Sequence, residues 1–293
     1  MDFLRYKLIY LSFSGILVIG GIMALILWGL NLGIDFTGGT LIEYQFEQLP
    51  DLGLIRQTLT NNLDFDLAGL QTAENNYLIV RTPEITQEHA RVIKQVLEEN
   101  FNQSIREDRF ESIGPTLGKE LLIKTLIAIV ITATFIMGYV AWTFKNLQYG
   151  VSAILAMFHD SLILIGSFSV LGHFLGVEVD TLFVTAVLTT LSFSVHDTVV
   201  VYDRIRESIK QYPQVSFVEL SNKALTETMG RSINNSLTII FMLVALLILG
   251  GSTIKWFVVS LLIGTIAGTY SSPFVAVPLL NIWQNFKSRI SHR

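Results

Sequence analysis

The chain has 293 residues, 51% of them hydrophobic and 15% charged, with a mean hydropathy of +0.53. Soluble domains carry about 25% charged residues, so this composition is that of a membrane protein. A net charge of −4 without a basic tail argues against a nucleic-acid partner, and the lack of cysteine excludes disulfides, thiolate metal sites and cysteine nucleophiles.

A spanning helix needs about 20 mostly apolar residues. The first such stretch is Leu8–Gly29. Arg5 and Lys7 precede it as in a signal peptide, but the apolar run is too long for one and no A-x-A site follows, so it reads as a retained helix. Residues 31–118 then form an extramembrane domain whose pattern is strand, helix, strand, strand, helix, strand. Thr40–Glu47 alternates apolar and polar residues as a half-buried strand does. Asp51 can cap a helix to Asn62 that turns Leu54, Ile55 and Leu59 to one face. Leu67–Thr72 and Tyr77–Thr82 form a strand pair around a turn in AENN. Thr86 can cap a second helix bearing Ala90, Ile93, Leu97 and Phe101, and Ile105–Ile113 closes the set. This order predicts a ferredoxin-like arrangement. The charges from Arg106 to Glu111 read as a solvated strand edge and His89 as a surface histidine, so the domain suggests a binding or relay module.

Five further stretches can span: Leu121–Phe144, Gly150–Leu171, Thr181–Tyr202, Ser232–Gly250 and Ile254–Leu280, the last interrupted by Pro273 and Pro278. The expected fold is an α-helical membrane protein of six transmembrane helices, one and then five, with an inserted α+β extracytoplasmic domain. Its divisions are 1–30, 31–118, 119–283 and a tail at 284–293. Orientation follows from short-loop cations. With the N-terminus inside, Arg5, Lys7, Lys145, Arg204, Arg206, Lys210, Lys223, Lys287, Arg289 and Arg293 all fall on the cytoplasmic side. The external loops His173–Asp180 and Gly251–Thr253 contain no Lys or Arg, so both termini are expected to be cytoplasmic.

Two glycine-bearing joints flank the domain, GIDFTGGT with Gly38 and Gly39, and SIGPTLGKEL with Gly114 and Pro115. They read either as plain turns or as hinges that let the domain swing. GIDFTGGT opens no expected helix and is too loose for a phosphate cradle. No nucleotide loop, metal site or Ser/His/Asp triad is legible, so neither a cofactor nor covalent chemistry is expected.

The informative residues are polar ones inside apolar stretches. An aspartate at the centre of a spanning helix costs about 2.5–3.5 kcal/mol on insertion scales, which makes it a functional candidate by default. Thr190, Ser194, Asp197 and Val201 share one helix face, a small polar stripe aimed at another helix. The next helix places Arg231, Asn234, Asn235 and Thr238 on one face, where Arg231 can oppose Asp197 and the amides can complete its hydrogen bonds. His159-Asp160 in the third helix is a second HD pair, with Ala153, Ala156 and Ser167 on the Asp160 face. These groups suit either a proton or ion pathway or structural glue, and His196 suits packing or a relay. Gly264–Gly268 matches small-xxx-small packing, and Ser271-Ser272-Pro273 suggests a kink.

GIDFTGGT, SIGPTLGKEL, AMFHDSLI, HDTVVVYDRIRE and RSINNSLT occur in this order. With the order of helices, they resemble the SecD/SecF family of the RND superfamily, and within it the SecF branch of the bacterial Sec export machinery. The likeness runs from about Leu8 to Leu280. It implies a subunit of the bacterial inner membrane, surrounded by lipid, that joins SecD and the SecY channel with SecE and SecG, and also YajC. There it would use the proton motive force to help unfolded preproteins leave the channel. Asp197 matches the family's intramembrane aspartate, Arg231 the arginine opposite it, and Asp160 the HD of the third helix. In the family Asn usually precedes this aspartate, where this chain has His196, and Phe is common at Tyr202, a mild change at the membrane surface. An RND-type small-molecule transporter and a non-conducting scaffold are the alternatives; a domain of this size argues against the former.

Overall fold

The computed structural model describes residues 2–291 apart from 66, 74, 75 and 145. Lys145 and Arg293 of the cationic set, Glu74 and Asn75 of the expected turn, and the side chains of Lys287 and Arg289 lie outside the described residues. The chain divides into a helical unit (Met1–Asn31, Ala128–Val177, Thr181–Arg293) and a sheet unit (Leu32–Ile127, Glu178–Asp180).

In chain order the long helices are α1 (Lys7–Trp28), α5 (Pro115–Phe144), α6 (Leu147–Leu175), α7 (Thr181–Gln211), α8 (Phe217–Leu249), α9 (Ser252–Ser271) and α10 (Val277–Ser291). A π-helical turn at Ser272–Ala276 joins the last two. Six described helical stretches are long and apolar enough to cross a membrane, with α9 to α10 counting as one. The helical unit has its centre in α6, α7 and the α9–α10 stretch; α1, α5 and α8 leave most of their apolar windows exposed.

Several helices outrun their apolar windows. α8 starts at Phe217 rather than near Ser232, because the Ser216 hydroxyl accepts from the Glu219 amide and caps it. α7 runs on to Gln211, where Arg204 ties it to Glu227 of α8 at 2.5 Å. α6 reaches Leu175, so His173 lies in its last turn, stacked on Trp28, rather than in a loop. A hydropathy window finds the apolar part of a helix; caps and charge pairs decide where it ends.

The sheet unit contains α2 (Ile34–Thr37), β1 (Gly39–Gln45), α3 (Leu52–Asn62), β2 (Gly69–Ala73), β3 (Tyr77–Thr82), α4 (Gln87–Phe101) and β4 (Arg106–Ile113). The strands form one antiparallel sheet in the order β2-β3-β1-β4. Ile42, Tyr44, Leu78 and Val80 of the central strands bury against Ile55 and Leu59 of α3 and Ile93 and Leu97 of α4. The Tyr44 hydroxyl donates to the Ala90 carbonyl at 2.7 Å, and its burial pushes its pKa well above the usual range.

The structure corrects four local expectations. Leu54 is exposed, because Asp51 caps the amides of Gly53 and Leu54 and starts the turn so that Ile55 takes the inward position. The Thr86 hydroxyl makes no cap and instead pairs with His89 Nδ1 at 2.9 Å. GIDFTGGT does open a helix, the single turn α2 with Gly33 at its N-cap. Tyr202, expected at the membrane surface, is fully buried.

Candidate functional site

Asp160, at the middle of α6, is 0% exposed. One carboxylate oxygen lies 2.9 Å from His159 Nδ1 and the other accepts from the Ser271 hydroxyl at 2.6 Å. Ser271 is the last residue of α9 before the π turn, and its hydroxyl also lies 3.3 Å from the Gly268 carbonyl. His159 is itself buried, with Nε2 unpartnered and its ring over Tyr270 at 6.4 Å. The Tyr270 hydroxyl reaches α1, donating to the Tyr10 carbonyl at 3.2 Å and accepting from Ser14 at 3.3 Å.

The π turn is the consequence of Pro273. Proline lacks an amide, and a wider turn re-sorts the carbonyls that lose their partners. Tyr202 packs against the turn, donating to the Ala276 carbonyl at 3.0 Å while its ring meets Phe144 and Tyr149 edge-on. Ser272 and Thr198 join hydroxyls at 2.9 Å, which ties the turn to α7 one residue beyond Asp197.

Asp197 is 9% exposed and faces a cavity of about 20 Å³ lined by Phe193, His196, Asn235, Ser236, Thr265, Gly268 and Thr269 among others. This volume holds about one water molecule. Among the described residues no hydrogen bond or ion pair closes on the Asp197 carboxylate. Among the described residues Arg231 does not pair with Asp197 within 4.0 Å, and it is exposed. Asn234 and Asn235 are exposed too, and only Asn235 reaches the cavity. The expected Asp197–Arg231–Asn cluster is therefore open, because the stripe ahead of Asp197 is occupied by α9 rather than α8. A Cβ on Gly264 would meet Thr190 Cγ2 at 2.8 Å, and one on Gly268 would meet Ser194 Cα at 3.4 Å. His196 points outward on the exposed side of α7 and shares the cavity wall.

The two glycine joints are not separate. Gly38, at φ +75°, packs on Pro115, whose Cα lies 2.6 Å from where a Cβ would be, and Gly118 sits against the Gly38 amide in the same way at 2.9 Å. Gly39, at φ +120°, passes over the Thr82 carbonyl. Gly114 is less constrained, with only the Glu84 carboxylate nearby at 3.4 Å. The sheet unit also holds residues 178–180, which connect α6 to α7. Val179 bridges Leu32 in parallel and accepts the Gly33 amide at 2.9 Å, and Glu178 pairs with Arg81 of β3 at 2.6 Å.

Two family descriptions match the chain: protein export membrane protein SecD/SecF, C-terminal, over residues 92–286, and the SecD/SecF GG motif over residues 29–48. The chain belongs to the SecD/SecF family. It is 41% identical to a protein translocase subunit SecF of Thermobaculum terrenum, over 97% of this chain and 94% of the relative. It is 35% identical to one of a Synechocystis strain, over 87% and 84%. The crystal structure of SecDF, a translocon-associated membrane protein of Thermus thermophilus, superposes with a TM-score of 0.87 at 28% identity. That match covers 97% of this chain and 39% of the longer SecDF chain. SecDF in a super-membrane-facing form matches with a TM-score of 0.73 at 28% identity, over 100% of this chain and 40% of that one.

Within this SecD/SecF chain, the sequence singles out Asp160 and Asp197 and, at the Asp197 cavity, His196, Asn235 and Gly268, but not the bond between Ser271 and Asp160. Ser271 was legible only as part of a kink, and His159 only as half of a dipeptide. The signal for Ser271 is a hydroxyl beside the helix break at Pro273, and His159, inside α6, has only its acidic neighbour. The Gly38–Pro115 packing joins residues far apart in sequence, and only the GG motif hinted at it.

Proposed function

We propose that this chain serves as the SecF-type accessory subunit of the Sec protein translocase and uses the proton motive force to assist a late stage of preprotein export. The observation that carries this reading is Asp197: a carboxylate with 9% exposure, no hydrogen-bond donor among the described residues, and a water-sized cavity beside it. A structural carboxylate in an apolar bundle is normally tied down by donors. Asp160, His196, Arg231, Asn234 and Asn235 form the remainder of the proposed pathway. The Arg231 charge favours the ionised form of Asp197, and a proton arriving from the cavity side removes that attraction. One charge crossing the membrane potential delivers about 2.3 kcal/mol per 100 mV. That biases a bistable helix packing and falls well short of unfolding a domain, so work is done in repeated small strokes.

In this reading residues 31–118 form a ferredoxin-like module on the outer side of a bacterial inner membrane, with both termini cytoplasmic and the helices divided one and then five. The βαββαβ order supports the module, and the cation-free connections at 176–180 and 250–251 support the orientation. Strokes pass through Gly38, Gly39, Gly114 and Pro115, and the packing of Gly38 on Pro115 supports a single shared joint. The partners are SecD, the SecY, SecE and SecG channel, YajC and the unfolded preprotein.

The test uses vesicles containing the channel, SecD and this chain. Asp197→Asn is expected to assemble normally and to lose the gradient-dependent stimulation of the late, ATP-independent stage. Unchanged export would assign Asp197 to packing and leave a scaffold as the function.

A further inference from the structure

The hydroxyl of Ser271 has two acceptors within reach, the Asp160 carboxylate at 2.6 Å and the Gly268 carbonyl at 3.3 Å. Which one it serves depends on Asp160. An ionised carboxylate only accepts, so Ser271 donates to it, as in the structure. A protonated carboxyl must itself donate, and in a site with 0% exposure an unpaired O–H is costly. The oxygen already facing Ser271 is placed for that bond. Asp160 then donates to Ser271 Oγ, and the Ser271 hydrogen turns to Gly268. No atom has to travel, and the one proton added stays on Asp160.

Gly268 is shared. Its carbonyl is also within 3.3 Å of the Ser272 hydroxyl, which bonds Thr198 of α7, and Gly268 lines the cavity beside Asp197. Resting on the reading of Asp197 above, we propose that Ser271 is a two-position hydroxyl switch that reports the protonation of Asp160 to Gly268 and so to the wall of the Asp197 cavity. Ser271 is a positioning residue, acting through Asp160. The π turn helps, because a carbonyl at the edge of a widened turn can accept a second donor without breaking a regular helix bond.

Other titratable groups on the elements packed around Asp160 are His159 beside it, Lys7 and Tyr10 of α1, Tyr270 of α9, and His196, Asp197 and Tyr202 of α7; Tyr149 and His173 lie at the two ends of α6, Lys255 in the first turns of α9, and Asp203, Arg204, Arg206, Glu207 and Lys210 in the last turns of α7. Lys7 is engaged with Asn281 at 2.8 Å and Tyr270 with α1, while the π turn and the described side chains of α10 add none. His159 Nδ1 remains on the other carboxylate oxygen, so the oxygen facing Ser271 is the one free to take the proton.

The experiment is acid-minus-alkaline infrared difference spectroscopy of the full chain with its SecD partner in liposomes. The protonated-carboxyl band of Asp160 is assigned by its loss in Asp160→Asn, and that of Asp197 by its loss in Asp197→Asn. Ser271→Ala is expected to shift the Asp160 band to higher frequency, as for a carboxyl that has lost its acceptor, and to move the Asp197 band as well; Ser271→Thr is expected to restore both. In export vesicles Ser271→Ala should move the pH midpoint of the gradient response while its maximum survives. An Asp160 band that stays put in Ser271→Ala, an Asp197 band that does not follow it, or no band lost in Asp160→Asn overturns the switch. Where Ser271→Ala does not assemble, Ser271→Cys, a weak acceptor of similar size, replaces it with the same expected shift. A gradient response that persists in Asp197→Asn defeats the export reading; one that vanishes there while Ser271→Ala moves nothing defeats only the switch.

Discussion

The contact between α7 and α9 is close enough to weigh one methyl group. In Gly264→Ala the new Cβ would lie 2.8 Å from Thr190 Cγ2 and 3.0 Å from Thr190 Cβ, and closer still to Oγ1. Thr190 is buried and β-branched, so it has few rotamers to retreat into. Overpacking of this kind costs about 1–3 kcal/mol, and replacing a helical glycine returns about 0.8–1 kcal/mol through propensity. The net expectation is a loss of about 0–2 kcal/mol. Thr190→Ala removes the two nearest obstructing atoms, Oγ1 and Cγ2, and with them a buried hydroxyl that has no hydrogen-bond partner among the described residues, so it should cost little alone and relieve most of the clash in Gly264→Ala. A double-mutant cycle should therefore give a favourable coupling of about 1–2 kcal/mol, outside the 0.3–0.5 kcal/mol within which independent sites add. Gly20→Ala is the control: a Cβ there meets nothing within 4 Å. The assay is reversible unfolding in detergent, followed by gradient-dependent export for variants that fold. Additive losses, or a Gly264→Ala as harmless as Gly20→Ala, would refute the close approach of α9 to the Thr190 face.

Gly38→Ala should disrupt the sheet unit, because it combines a positive φ of +75° with a clash on the Pro115 backbone, whereas Gly114→Ala should be nearly neutral, its Cβ meeting only a movable carboxylate. Hydrogen exchange of β1 amides in the full chain compares the two, and equal protection would contradict the packed joint. Burial raises the Glu178 carboxyl above the ordinary glutamate range, with Arg81 opposing the shift. The folded state therefore holds this proton more tightly than the unfolded one, and the sheet unit should lose stability as pH rises from the ordinary glutamate pKa to the raised one. Glu178→Gln should flatten that slope in urea titrations across the window; an unchanged slope would assign it to other groups.

The class of the molecule is written in its composition: six long apolar stretches can satisfy their backbone in lipid only as helices, and the alternation in Thr40–Glu47 can bury one face only as a strand. Asp160 and Asp197 are legible for the same reason, since an acid in an apolar helix contradicts its surroundings whatever the fold. Their partners are not. Arg231 looked right by charge and spacing, but Gly264 and Gly268 let α9 take the position beside Thr190 and Ser194, which leaves Arg231 exposed and unpaired with Asp197. Ser271 gained its role only when Pro273 turned the last helix into a π turn next to Asp160. The burial of Tyr202 likewise rests on the Ala276 carbonyl, 74 residues away, which accepts its hydroxyl. Local sequence decides what each segment costs to bury. Which segments share that burial depends on shapes meeting across separations of 74 to 111 residues, and only the tertiary structure decides it.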